Sequence, residues 1–269
     1  MNIGRLRVGL VMNPLAGIGG PAALKGSDDR ELIDRARRSG AESKVLPRTC
    51  ISLEALSDVS DKIEFVAYAG DMGETALKGS SHHYKVVGDV AQHITNAKDT
   101  RRAIELMQAE SVDIILFAGG DGTAGDICDV IRPGQVVLGI PCGVKMHSGV
   151  FANNPLAAGK IVSDIALGKL TSVTDAEVRD IDEEAFRRGT VLAKYRGEMT
   201  VPEELRYIQQ TKSGGVEVEA LVLQEIAAEV IDSMKAGVQY FVGSGTTTAA
   251  VMEPLNLENT LLGVDVIKD

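Results

Sequence analysis

The sequence predicts an α/β protein, with a doubly wound, mostly parallel sheet domain followed by a second, β-containing domain. Three observations predict it. Short apolar runs rich in Val and Ile recur between turn residues, helical patterns lie between several of them, and one later stretch switches to polar–apolar alternation.

The apolar runs cover residues 7–12, 63–69, 112–118, 136–140, 239–242 and 261–267. Their length and their Gly or Pro boundaries suit strands buried on both faces. Residues 99–110 carry Ala103, Ile104 and Met107 at helical spacing, with Asp99 as the expected N-cap. Residues 155–170 open on Pro155, a first-turn residue, and repeat apolar positions every three or four. Residues 216–236 form the longest periodic segment. Strands alternating with helices imply a parallel sheet with helical crossovers. From 171 to 201 the period drops to two, which marks half-solvated antiparallel strands. Lys212-Ser213-Gly214-Gly215 reads as a flexible connection. The expected organisation is an α/β domain over 1–170 and a second domain over 171–269, with antiparallel strands and then a strand–GSGTTT–helix–strand run.

Composition narrows the class. A chain of 269 residues makes one large or two ordinary domains, and 44% hydrophobic with 25% charged residues leaves ample core. The net charge of −10 argues against a nucleic-acid or anionic-membrane partner, which would need clustered Lys and Arg. With no Trp, five Tyr and five Phe, there is little aromatic surface for stacking bases or sugars. Cys50, Cys128 and Cys142 form no CxxC pair and read as reduced, mostly buried thiols of a cytosolic protein. The apolar run before Asn13-Pro14 is too short for a signal peptide, and nowhere do 18 apolar residues run together. A cytoplasmic homo-oligomer is expected.

The strongest chemical signal is Asp113-Ile-Ile-Leu-Phe-Ala-Gly119-Gly120-Asp121-Gly122-Thr123, a buried strand running into glycines and then a helix. Glycines let backbone N–H groups approach a ligand closely, and a helix start supplies unpaired donors and a positive dipole end. An aspartate in such an anion-binding turn opposes phosphate. Asp121 makes sense there if it accepts a proton from an attacking hydroxyl or helps position Mg²⁺. The bland alternative is a tight turn with Asp as cap. Asp126 and Asp129, just inside the helix, favour the dipole or touch Mg²⁺ through water.

Other glycine turns rank below it. After the first strand, Asn13, Pro14, Gly17, Gly19 and Gly20 form a candidate phosphate loop; residues 17–22 formally fit GxGxxA, and a Walker A lysine is absent. Lys145 and His147, after Pro141 and Gly143, offer a cation and a donor for phosphate or ribose, against a plain surface cap. Gly243, Gly245, Thr246 and Thr247 repeat the strand–glycine–helix design, against three threonines capping a helix. Asp71 reads as a turn residue, and His82, His83 and His93 lack metal-ligand spacing.

The run Phe117-Ala-Gly-Gly-Asp-Gly-Thr123 resembles the GGDGT signature of the NAD kinase superfamily, which includes diacylglycerol and sphingosine kinases. Val11-Met12-Asn13-Pro14-Leu15-Ala16-Gly17 is similar to that family's first strand and NPxAG loop. Residues 138–152 are most similar to ATP-NAD kinase-like proteins, including protein X of acetoin-catabolism operons, and lack the Pro-x-Gly-Thr-x-Asn-Asp run of lipid kinases. The resemblance extends through 242–248 and 261–266. It implies an enzyme in which Asp121 deprotonates the ribose 2′-hydroxyl of NAD, Gly119, Gly120, Gly122 and Thr123 hold nucleotide phosphates, and ATP or polyphosphate with Mg²⁺ supplies the phosphoryl group. The chain departs from well-studied NAD kinases in having no Asn-Glu dipeptide; Asn153-Asn154 is a poor substitute. A non-catalytic nucleotide-binding accessory protein and a lipid or polyol kinase remain as alternatives. Similar proteins continue beyond residue 267, so a short or truncated member is expected.

Overall fold

In the computed structural model, β1 (Leu6–Met12) lies between β2 (Ile63–Tyr68) and β4 (Ile114–Gly119), with β3 (His83–Val87) and β5 (Val136–Pro141) at the edges. The structure describes residues 4–16, 43–90, 94–142, 146–181, 193–204, 227, 230–231, 234–235, 237–255, 257–260 and 263–268. All four pairings are parallel, so the order β3-β2-β1-β4-β5 makes the doubly wound sheet expected from the sequence. The chain steps outward from β1 to β3, then returns to the other side of β1 for β4 and β5. The carboxyl ends of β1 and β4 therefore meet at a topological switch point, where open α/β sheets form their ligand crevice.

Local chemistry explains most of the helices. Helix α1 (Val45–Glu54) is followed by a 3-10 segment (Ser57–Lys62), and a shorter one (Gly70–Met72) precedes α2 (Glu74–Leu77). α1 escapes sequence reasoning because Pro47, Thr49, Cys50 and Ser52 are poor helix formers. Tertiary contact offsets that: Ser52 Oγ donates to the distant Pro155 carbonyl at 2.7 Å, while Thr49 Oγ1 donates one turn back to the Val45 carbonyl at 2.8 Å. α3 (Ala97–Ala109) starts earlier than predicted, and its cap is Asn96 rather than Asp99. Asn96 accepts the Lys98 N–H at 2.9 Å, and Asp99, three residues in, accepts the Asn96 N–H at 2.8 Å, a reciprocal capping box. The predicted stripe of Ala103, Ile104 and Met107 is fully buried. α5 (Pro155–Ala166) is capped by Asn154 and ends short of the predicted residue 170. Gly168, at φ 69°, supplies the left-handed turn that stops it.

The core lies on both faces of the sheet. Phe65, Phe117, Phe151, Leu10 and Ile115 are completely buried, and Phe117 meets Phe151 edge-on at 5.2 Å. Strand β3 has no counterpart in the sequence reading, since His83, Tyr84, Lys85 and Val86 are exposed on an edge and lack an apolar run.

Residues 173–181 and 193–202 form the expected antiparallel pair, β6 (Val173–Ile181) with β7 (Ala193–Pro202). The pair packs against β5 and against α4 (Asp121–Cys128), the helix that follows β4. The compact units are Met1–Thr211 and Lys212–Asp269, so the boundary expected at residue 170 falls inside the first unit. Period-two alternation reported the strands correctly but carried no information on what they pack against.

In the second unit, β8 (Tyr240–Val242) and β9 (Asp265–Ile267) pair antiparallel, with α6 (Thr246–Met252) between them in sequence. They are not the doubly buried strands expected, as Phe241 is 74% and Val266 53% exposed. The helix predicted over 216–236 falls almost wholly outside the described residues. All three cysteines are free, but only Cys142 is buried; Cys50 is exposed on α1, contrary to expectation.

Candidate functional site

The pairing Met12↔Ala118 places Asn13 beside the end of β4. The Asn13 N–H donates to the Ala118 carbonyl at 2.9 Å, and its Nδ2 donates to Thr123 Oγ1 at 3.0 Å. Asn13 Oδ1 accepts the Leu15 N–H at 3.1 Å, which fixes the chain as it turns past Pro14. On the other side, the Cys142 N–H donates to the Gly119 carbonyl at 2.9 Å. The ends of β1, β4 and β5 are thus joined around the turn that starts α4.

Gly119 has to be glycine, because a Cβ there would sit 2.5 Å from Thr123. Gly120 is extended at the N-cap, and Asp121 is the first residue of α4. A Cβ on Gly122 would meet nothing within 4 Å, so packing alone does not explain that glycine. Asp121 retains 8% exposure and Thr123 4%.

Both Asp121 oxygens are held by the segment after β5: Oδ2 accepts the His147 N–H at 2.8 Å and Oδ1 the Ser148 N–H at 3.0 Å. Each carboxylate oxygen has a second lone pair, so a substrate hydroxyl can still be accepted. Burial raises the Asp121 pKa above the ordinary aspartate value, while hydrogen bonds from Ser148 and His147 pull the other way.

The remaining predicted residues divide clearly. Gly17, Gly19, Gly20 and Lys145 lie outside the described residues. His147 joins the site through its main chain. Gly243, Gly245, Thr246 and Thr247 belong to the second unit; there Thr248 Oγ1 lies 2.8 Å from the Gly243 carbonyl and 2.9 Å from that of Gly245, while Thr246 and Thr247 are exposed. Asp126 is engaged by Arg101 at 3.0 Å, and Asp129 by Arg101 at 2.8 Å and Arg196 at 2.9 Å. No group of three His, Cys, Asp or Glu able to hold a metal occurs among the described residues. Those residues therefore do not form a metal cage, and Asp126 is committed to a guanidinium. Asp71 serves its turn, accepting from Thr75 at 3.0 Å, and buried His82 meets the Leu53 carbonyl at 3.0 Å. The Cys142 thiol is pushed up to about 12 by burial, which makes it a poor nucleophile.

Two residues escaped sequence reasoning. Arg48 Nη1 donates to the Pro141 carbonyl at 2.6 Å, bringing a cation from α1 to the end of β5. Ser148 adjoins His147 in a stretch already singled out, and only its buried contacts set it apart. No helix among the described residues is long and apolar enough to cross a membrane.

The family model described as the ATP-NAD kinase N-terminal domain matches residues 8–170. The chain belongs to the ATP-NAD kinase family. That match spans the five-stranded sheet from Val8 of β1 onward, the Asn13 turn, the Gly119–Thr123 turn and the segment that grips Asp121. At family level the protein is a kinase of the NAD kinase type, a phosphotransferase with an alcohol group as acceptor. A search of curated proteins finds no match.

Proposed function

We propose that the protein phosphorylates the 2′-hydroxyl of NAD to give NADP, with ATP or polyphosphate as donor. The observation that carries this reading is Asp121, a buried carboxylate at a helix start on the sheet's switch point, oriented by two main-chain N–H groups. Asp121 takes the proton of the attacking hydroxyl, whose oxygen bonds to the terminal phosphorus as the bond to the leaving phosphate breaks. The free N–H groups at the start of α4 and the Gly119–Gly122 backbone face the phosphates. Burial brings the base nearer to neutral pH, where proton transfer is most effective. Magnesium would arrive with the nucleotide phosphates, the usual way that ion is held. Among the described residues, no group of three His, Cys, Asp or Glu stands ready to hold it separately.

A second reading, a non-catalytic nucleotide-binding accessory protein, draws on the absent Asn-Glu dipeptide and on an Asp121 whose two oxygens already have partners. One experiment separates the two. The protein is incubated with Mg²⁺, ATP or polyphosphate, and NAD, NADH or diacylglycerol, and products are identified by chromatography. NADP, formed together with ADP or shortened polyphosphate and with no phosphorylated lipid, is expected. A nucleotide-induced rise in melting temperature without any product favours the accessory reading, and phosphorylated diacylglycerol would overturn both.

A further inference from the structure

We propose that Ser148 is a positioning residue, tying the β6–β7 pair to the Asp121 carboxylate and so setting where that carboxylate points. Ser148 is 1% exposed and bonds in two directions. Its N–H donates to Asp121 Oδ1 at 3.0 Å, while its hydroxyl accepts the Arg179 N–H at 3.0 Å and donates to the Arg179 carbonyl at 3.1 Å. On either side, the His147 N–H holds Asp121 Oδ2 and the Gly149 N–H donates to the Glu177 carbonyl at 2.9 Å.

The register of β6 against β7 is built for this contact. It runs Val178↔Gly197 and then Arg179↔Tyr195, so Arg196 is an extra, bulged residue. Bulges break a ladder locally and re-aim side chains, and they recur beside active sites. This one has two consequences. It coincides with the place where the Arg179 main chain turns to the Ser148 hydroxyl, and it sends the Arg196 guanidinium over Gly125 to Asp129 at 2.9 Å. The strand pair thus holds α4 at both ends, through Ser148 at Asp121 and through Arg196 at the C-cap Asp129. Removing the Ser148 hydroxyl leaves the part-buried N–H and carbonyl of Arg179 without that partner, and any relaxation of the 147–149 segment moves the two donors that orient Asp121.

The proposal rests on Asp121 being the base, and its test separates the two ideas. Amide resonances of ¹⁵N-labelled protein are compared for wild type, Ser148→Ala, Ser148→Thr and Thr200→Ala, alongside steady-state kinetics. Thr200 is the control: its hydroxyl bonds Asp175 at 2.9 Å in the same strand pair, on the exposed side. The expected result is that Ser148→Ala moves the His147 amide resonance and lowers kcat about tenfold or more with KM within about twofold. Ser148→Thr keeps the hydroxyl and restores both, and Thr200→Ala changes neither. A folded Ser148→Ala with the His147 amide unmoved overturns the proposal, as does an unchanged kcat. If Ser148→Ala does not fold, Asp121→Asn is read instead: its Arg179 amide must shift while that of Thr200 stays, and an unmoved Arg179 amide overturns the proposal. If wild type shows no turnover, the kinase reading fails while the amide shifts still decide the role of Ser148.

Discussion

Asn13 and Thr123 are 110 positions apart in sequence and joined by one hydrogen bond, Nδ2 to Oγ1 at 3.0 Å. The bond closes the switch point by fastening the turn after β1 to the first turn of α4. Because Thr123 only accepts in this bond, its hydroxyl proton stays available to donate elsewhere. Asn13→Ala removes that bond and the one from the Leu15 N–H, so a loss of about 1–2 kcal/mol in urea denaturation is expected. Nucleotide affinity, read by calorimetry, should fall with it. Undiminished stability and affinity would show that the bridge is incidental.

Asp121→Asn is expected to lower kcat by about a hundredfold to ten-thousandfold, the usual worth of a positioned base. Nucleotide binding, read as a thermal shift, should survive because the glycine turn is unchanged. Full turnover in the variant would remove Asp121 from the chemistry.

The pH dependence has a definite sign. Burial raises the pKa of Asp121 in the folded chain, so the folded state binds this proton more tightly than the unfolded one does. Ionising Asp121 therefore costs stability. The cost is absent below the unfolded aspartate value and complete above the folded one, so its contribution falls as pH rises through that window. The difference between wild type and Asp121→Asn in urea denaturation isolates it from half-buried carboxylates such as Glu74 and Glu110, whose values are lowered and run the other way. Activity moves oppositely, because the base works ionised. The acidic limb of the kcat profile should lie above the ordinary aspartate value, and a limb at or below that value would contradict the assignment.

Two glycines of one turn should behave differently. Gly119→Ala drives a Cβ into Thr123 at 2.5 Å, and overpacking of this kind costs about 1–3 kcal/mol. Gly122→Ala meets nothing within 4 Å, and inside a helix it should leave stability unchanged or raise it by up to about 1 kcal/mol. If backbone approach to phosphate is the reason for Gly122, that variant folds normally yet binds nucleotide more weakly. Melting temperature and nucleotide titration on both variants check the contrast.

The Arg101 pairs with Asp126 and Asp129 hold α3 to α4, but the arginine side chain is 36% exposed. Arg101→Met is therefore expected to cost under about 1 kcal/mol, with the loss shrinking as salt is added. Urea denaturation at low and high ionic strength measures it.

Much of the site was legible in one short stretch. A strand, two glycines, an aspartate, a glycine, a threonine and a helix follow one another within residues 114–128, and each step obeys local rules of dihedral freedom and helix capping. Strands β1, β2, β4 and β5 were legible for a related reason, since a strand buried on both faces is an unbroken apolar run. Strand β3 and helix α1 were not, because an exposed edge strand has no such run and α1 rests on hydroxyl bonds to residues as distant as Pro155. The cap of α3 was misplaced by three residues, because Asp99 is the inner member of a capping box whose outer member is Asn96.

The sequence by itself determined the fold class and the family, and it singled out Asp121 as the carboxylate we propose for the base. Tertiary structure decided what that carboxylate faces: the amides of His147 and Ser148, with the bulged β6–β7 pair behind them. It also decided that Asp126 serves an arginine, and that the compact unit runs to Thr211. The physical reason is the same in each case. Dihedral preference and apolar periodicity act between near neighbours and leave a local pattern, whereas these hydrogen bonds and ion pairs join residues 25 or more positions apart and leave none.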